Sequence, residues 1–316
     1  MRLALPRRLL IGLWSLAMGC AALAAEPPAG TLDTVGSDTM AGLMLRWGER
    51  LAREHPGVGV QLQASGSASA PPALTAGTAL VGPMSRPMTE AEREAFEARY
   101  GYPPREVLVA RDALVVVVHR HNALPSLSRS ELDAIFSETN RCGAEAGIRR
   151  WQPLGLQVPR GRIVLHGRNA VSGTHGLFRR EALCGGSFRP EVNEHPGSAA
   201  VVAAVAADPR AIGYAGLNHL TSSVRAVPLR DERGRRQAPD PAAVRRGDYP
   251  FARDLRLYLN LAPGDSLPPA ERAFVELVLS EAGQAIVEEL GFVSLPPDVV
   301  TRQRRRLGLG LGRDDG

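Results

Sequence analysis

Gly167-Arg168-Asn169-Ala170-Val171-Ser172-Gly173-Thr174-His175-Gly176-Leu177-Phe178 lies between the apolar run Ile163-Val164-Leu165 and the mixed stretch Leu177-Phe178-Arg179-Arg180-Glu181-Ala182-Leu183. The run reads as a buried strand and the mixed stretch as a helix, so the segment is a strand-loop-helix junction. It carries an Arg, two hydroxyl residues and glycines, and no carboxylate. That composition suits an oxyanion. A helix start offers unpaired N–H groups and the positive end of the dipole. Ser172 and Thr174 add hydroxyl donors, Gly173 lets a ligand reach the backbone, and the Arg168 guanidinium matches a tetrahedral anion. An ordinary helix cap beside a surface Arg would use the same residues.

Two earlier stretches have the same form. Leu32-Asp33-Thr34-Val35 leads through Gly36-Ser37-Asp38-Thr39-Met40 into a helical pattern at Leu43, Leu45, Trp47 and Leu51. Val58 to Ala64 alternates like a strand and runs through Ser65-Gly66-Ser67-Ala68-Ser69-Ala70 into a helix with Pro71-Pro72 in its first turn. Three such loops after strands predict an α/β sheet whose loops converge at the strands' carboxyl ends, where three helix starts form an anion site.

The remaining chain supplies the framework. Thr89-Glu90-Ala91-Glu92 opens a charged helix to Tyr100, and Ser128 opens one through Phe136. Val107 to Ala110 and Ala113 to His119 read as two strands, the second buried on both faces as in a parallel sheet. Pro268 to Leu290 reads as the longest helix, and residues 301–316, basic and then Gly-rich, as a disordered tail.

Composition sets outer bounds. The 316 residues, 44% apolar, suffice for two domains. All 38 basic residues are Arg, interleaved with 33 acidic ones, and neither a basic patch threaded with aromatics nor a zinc-finger spacing occurs, so no nucleic-acid partner is predicted. Arg2, Arg7 and Arg8 precede an apolar run ending in Ala21-Ala22-Leu23-Ala24-Ala25, which reads as a secretory signal peptide over residues 1–25 rather than an uncleaved anchor. Its removal takes three Arg and no acid, lowering the formal charge from +5 to +2. Ala17-Met18-Gly19-Cys20 only faintly resembles a lipoprotein site. Cys142 and Cys184 remain as an even pair for an oxidising compartment and are predicted to form a disulfide, the alternative being two buried thiols.

In this order the motifs resemble the periplasmic phosphate-binding proteins of ABC phosphate transporters, the PstS-like solute-binding family. Val35 to Met40 resembles that family's first phosphate loop and Ala64-Ser65-Gly66-Ser67 the second. Arg168 to Thr174 matches its Arg-x-x-x-Ser-Gly-Thr pattern. Ile212-Gly213-Tyr214, Tyr249-Pro250 and Phe274 to Pro297 match further landmarks. The resemblance implies a type II periplasmic-binding fold, two α/β lobes joined by a two-segment hinge and closing on the ligand. Lobe I would comprise residues 27–111 and 223–300, and lobe II residues 112–222. Phosphate contacts carried over are Thr39, the Met40 N–H, Ser67, Arg168, Ser172, the Gly173 N–H and Thr174. The implied protein is a monomeric, periplasmic, non-enzymatic binder without cofactor or metal, delivering phosphate to an inner-membrane ABC permease.

One position departs from the family. An Asp usually stands five residues before the Ser of a Ser-Arg pair, where it accepts the proton of hydrogen phosphate and repels sulfate. Here the pair is Ser85-Arg86 and the position is Leu80. Asp38 could take that role or serve as a helix cap. Without an acceptor the site would bind sulfate as well, or another oxyanion. A signalling or attachment role would need the same lobes. An exported hydrolase is disfavoured: Ser172 and His175 share one helix start, His166 precedes them, Gly-x-Ser-x-Gly is absent, and His119 and His121 form an isolated pair rather than a metal cluster.

Overall fold

The structure, a computed structural model, describes residues 27–310. The expected signal segment with Cys20, and residues 311–316, lie outside them. Twelve strands and ten helices follow in order among the described residues. The first half holds β1 (Gly30–Val35), α1 (Ala41–Glu54), β2 (Val58–Gln63), α2 (Ala70–Ala76), β3 (Val81–Met84), α3 (Glu90–Tyr100), β4 (Arg105–His119), β5 (Leu127–Ser128) and α4 (Arg129–Phe136). Then come β6 (Val164–Arg168), α5 (Gly173–Ala182), β7 (Asn193–His195), α6 (Ser198–Ala207), β8 (Ala211–Gly216) and β9 (Val224–Val227). The chain continues with β10 (Leu229–Arg230), β11 (Arg236–Gln237), α7 (Pro241–Arg246), β12 (Ala252–Leu259), α8 (Pro269–Val278), α9 (Glu281–Glu289) and α10 (Pro297–Arg306).

Strand β4 organises the molecule. Its first half pairs antiparallel with β12, extending the path β2-β1-β3-β12, while Leu114 to His119 pair with β8 and β9, extending the path β8-β6-β7. The two apolar runs read from the sequence are thus one strand, buried as expected but antiparallel to its neighbours. Beyond Ala113 its side chains alternate: Leu114 and Val116 face one core with Phe136, Phe178 and Tyr214, and Val115 and Val117 face α6 with Val201 and Val205. Val107 and Val109 belong to a separate core with Leu43, Trp47, Leu257, Phe274 and Val287. Two lobes result, each with its own core, joined where β4 and β12 cross between them.

Details differ from the sequence reading. Val227, Val244, Tyr249 and Phe251 pack in the second core, so the hydrophobic cores divide near Ala252 rather than at residue 223. Pro268 to Leu290 forms two helices, because the Ser280 side chain accepts from the Gly283 N–H and starts α9 afresh. The tail expected to be disordered from residue 301 is α10 as far as Arg306, and Leu307 and Leu309 bury against the first core. Its charged residues mask a short apolar stripe, Val299 and Val300, that packs against the same core. Cys142 and Cys184 form the disulfide, with Cα atoms 5.5 Å apart, tying the end of α5 to the loop after α4.

Candidate anion site

The first lobe contributes three loops laced to one another. After β1, Ser37 N donates to Pro83 O at 2.7 Å, and Gly66 N donates to Gly36 O at 2.8 Å. Gly66 has φ +119°, and a Cβ there would stand 2.6 Å from Val171 O, so the position requires glycine. Ser67 Oγ accepts from Ser85 N at 3.0 Å and lies 3.1 Å from Ser85 Oγ. Thr39, Ser67 and Ser85 are all buried. Met40 is buried too, and its N–H donates within the turn to Ser37 O at 3.2 Å rather than standing free.

The second lobe contributes the end of β6 and the start of α5. Arg168, 1% exposed, closes the strand. Its Nε donates to His195 O at 3.2 Å and its Nη2 to Pro196 O at 2.8 Å, both on the segment from β7 to α6. Nη2 also pairs with Asp38 Oδ2 at 2.6 Å, and Nη1 reaches Ser198 Oγ at 3.4 Å. A guanidinium has five N–H groups, so these partners leave one hydrogen on Nη1. Ser172 is the N-cap of α5: its Oγ accepts from Thr174 N at 3.1 Å, leaving its own proton to donate elsewhere. Gly173 is the first helical residue, so its N–H has no acceptor within the helix.

The two lobes meet on these residues. Thr39 Oγ1 and Thr174 Oγ1 are 3.3 Å apart. Ala68 N donates to Val171 O at 3.2 Å. A Cβ at Gly173 would stand 2.5 Å from Ser67 Oγ and closer still to Ser85 Oγ. The residues singled out in sequence, Thr39, Ser67, Arg168, Ser172, Gly173 and Thr174, therefore form one cluster with Asp38, while Leu80 stays on the surface of the first lobe at 39% exposure. Among the described residues, Ser37 Oγ and Asp38 Oδ1 in the loop after β1 are buried without a hydrogen-bond partner, as is Asp112 Oδ1 at the lobe junction. No group of three or more His, Cys, Asp or Glu suited to a metal occurs among them either.

Sequence reasoning passed over three contributors. Ser85 was read only as part of the Ser-Arg pair. Asp112 and Arg253 face each other in the β4–β12 register. Asp112 Oδ2 accepts from Arg253 Nε at 2.9 Å and Nη2 at 2.6 Å, and Arg253 Nη1 donates to Thr174 Oγ1 at 3.0 Å. For Asp112 the available signal was the charged pair Arg111-Asp112 inside the apolar run Val107 to Val118.

Comparison with known proteins places the chain in a family. A profile described as the PBP superfamily domain matches residues 21–282. The phosphate-binding protein PstS of Pseudomonas aeruginosa is 46% identical over 284 residues, covering 89% of this chain and 88% of the relative. The chain belongs to the PstS family of phosphate-binding proteins. The same fold is seen in an ABC-type phosphate transport receptor from Vibrio cholerae, with a TM-score of 0.66 at 21% identity over 84% of this chain and 100% of that one. It is seen again in a possible phosphate binding protein from Planctomyces limnophilus, with a TM-score of 0.65 at 26% identity over 89% of this chain and 98% of that one. This PstS family member carries the family's periplasmic-binding-protein architecture, with its two-lobed sheet and crossing strands.

Beside the site, His175 on α5 packs against Phe188 in a tilted arrangement with ring centroids 4.5 Å apart. Burial, then the charges of Arg179 and Arg168, lower its pKa from 6.5 to about 4. The imidazole is neutral at pH 7, which suits packing rather than a hydrolase's base. An unfolded chain takes up this proton near pH 6.5 while the folded one refuses it until about pH 4, so stability falls as pH drops through that window. His175→Phe is expected to lose less stability than the wild type between pH 6.5 and 4.5, read by urea denaturation at several pH values (about 2 pH units of window). Parallel stability curves would contradict this.

Proposed function

We propose that this protein captures inorganic phosphate between its lobes in the periplasm and hands it to an ABC permease of the inner membrane. The observation that carries the reading is the make-up of the cleft. Hydroxyls of Thr39, Ser67, Ser172 and Thr174, the start of α5 and the Arg168 guanidinium converge from both lobes. All of these can donate, and together they can surround a tetrahedral anion. The family is one of binding proteins, so the site serves capture and release rather than chemistry on the ligand. The expected signal segment and the family's setting support the periplasm. Among the described residues no helix is long and apolar enough to cross a membrane.

Asp38 is the proton acceptor in this reading. Its Oδ2 is held by Arg168, while its buried Oδ1 has no partner among the described residues. A carboxylate oxygen so placed welcomes the remaining proton of hydrogen phosphate and repels sulfate, which has none to share. Leu80 lies before β3, at the strand end away from the site loops, so the acceptor role rests on Asp38 itself. Competition calorimetry tests it. The wild type should bind phosphate in the presence of sulfate, and Asp38→Asn should lower the phosphate-to-sulfate preference by about tenfold or more. An unchanged preference in the variant would remove Asp38 from this role.

A further inference from the structure

We infer that Arg253, on the hinge, is a positioning residue that fixes the Thr174 hydroxyl as a hydrogen-bond donor into the cleft, an inference resting on the anion-capture reading above. Arg253 opens β12 opposite Asp112 of β4, at the place where both strands pass from one hydrophobic core to the other. Both side chains are almost wholly buried, 4% and 1% exposed. The carboxylate takes two of the guanidinium's nitrogens, Nε and Nη2, through one oxygen. This anchors the fork to both crossing strands and aims Nη1 at Thr174, 3.0 Å away on α5.

The direction of that bond matters. A hydroxyl has one proton and two lone pairs, and its proton turns to suit its partners. Arg253 can only donate, so Thr174 Oγ1 must accept from it and point its own proton elsewhere. Thr39 Oγ1 of the other lobe, itself a cleft hydroxyl, lies 3.3 Å from the same oxygen, so the Thr174 proton is left to the cleft side, for Thr39 or for a bound anion. Without Arg253 the hydroxyl could turn a lone pair toward the anion and repel it. The chain Asp112–Arg253–Thr174–Thr39 also ties hinge, second lobe and first lobe together in the closed arrangement. A closure that displaced α5 from the hinge would break it.

A double-mutant cycle tests this, with calorimetric titration of inorganic phosphate into the full mature chain, wild type alongside. Arg253→Lys keeps the charge but cannot span both Asp112 and Thr174. It should weaken phosphate binding by about tenfold. In a Thr174→Val background, where the hydroxyl is gone, the same change should cost less than about twofold. Losses that multiply, or an Arg253→Lys protein binding like wild type, would overturn the inference. Should Arg253→Lys fail to fold, Asp112→Asn takes its place. Loosening the anchor should then weaken binding only when Thr174 is present. Tighter binding, as from a cation acting by charge alone, would overturn the inference. Failure of the wild type to bind phosphate would sink the reading of the site and this inference with it, whereas wild-type binding with multiplying losses sinks only the inference.

Discussion

Gly173→Ala is expected to leave both lobes folded and to weaken phosphate capture by about a hundredfold, the scale of an overpacking penalty near 3 kcal/mol. The glycine starts α5 on the second lobe and faces Ser67 and Ser85 on the first. A methyl group there would sit 2.5 Å from Ser67 Oγ and 3.1 Å from Ser67 Cβ. Turning the hydroxyls away does not solve the clash. Ser67 Oγ is the acceptor for Ser85 N, and rotating it leaves a buried N–H unpaired. The remaining relief is to part the lobes, which separates Thr39 from Thr174. In an open protein the new methyl meets no such neighbour, and Ala is a better helix residue than Gly, so thermal stability without phosphate should hold. Calorimetric titration beside a thermal melt checks both halves. Near wild-type affinity would show that closure does not bring α5 against these serines.

Arg168→Lys is expected to weaken phosphate binding by a similar or larger factor, about a hundredfold to a thousandfold, and to lower stability as well. The guanidinium bonds two carbonyls of the segment from β7 to α6 and the Asp38 carboxylate of the other lobe at once. An ammonium on a flexible stem is a point donor and cannot reproduce that fork. It would leave His195 O or Pro196 O without its donor, or Asp38 without its counter-charge. An uncompensated Asp38 would then repel the incoming anion. Adding Asp38→Asn to the variant should recover part of the stability while leaving affinity low. An Arg168→Lys protein with affinity within about threefold of wild type would show that the fork is dispensable.

Much of this was legible in the chain because the relevant signals are local. Each strand-loop-helix junction writes its glycine, hydroxyl and cap residues within about ten positions, so Gly36 to Met40, Ser65 to Ala70 and Arg168 to Thr174 could be read without knowing where they meet. The disulfide was legible for a different reason, since only two cysteines remained to pair. What could not be read depends on contacts far apart in sequence. Arg253 and Asp112 are 141 positions apart and acquire a role only when β12 lies against β4. The pairing of Asp38 with Arg168 needs the lobes closed. The parallel reading of β4 failed because a strand buried on both faces looks alike in parallel and antiparallel sheets. The tail reading failed because Val299, Val300, Leu307 and Leu309 are thinly spread among arginines. The central helix split at Ser280 because one side-chain cap outweighs a continuous apolar pattern.

In the capture proposed here, two lobes close donors around phosphate and an acceptor at Asp38 rejects sulfate. Isothermal titration of residues 26–316 at pH 7 to 8, first with phosphate and then with phosphate in excess sulfate, tests it most directly. Saturable one-to-one phosphate binding that sulfate does not displace is the expected result. Binding of neither anion, or sulfate binding as well as phosphate, would contradict it.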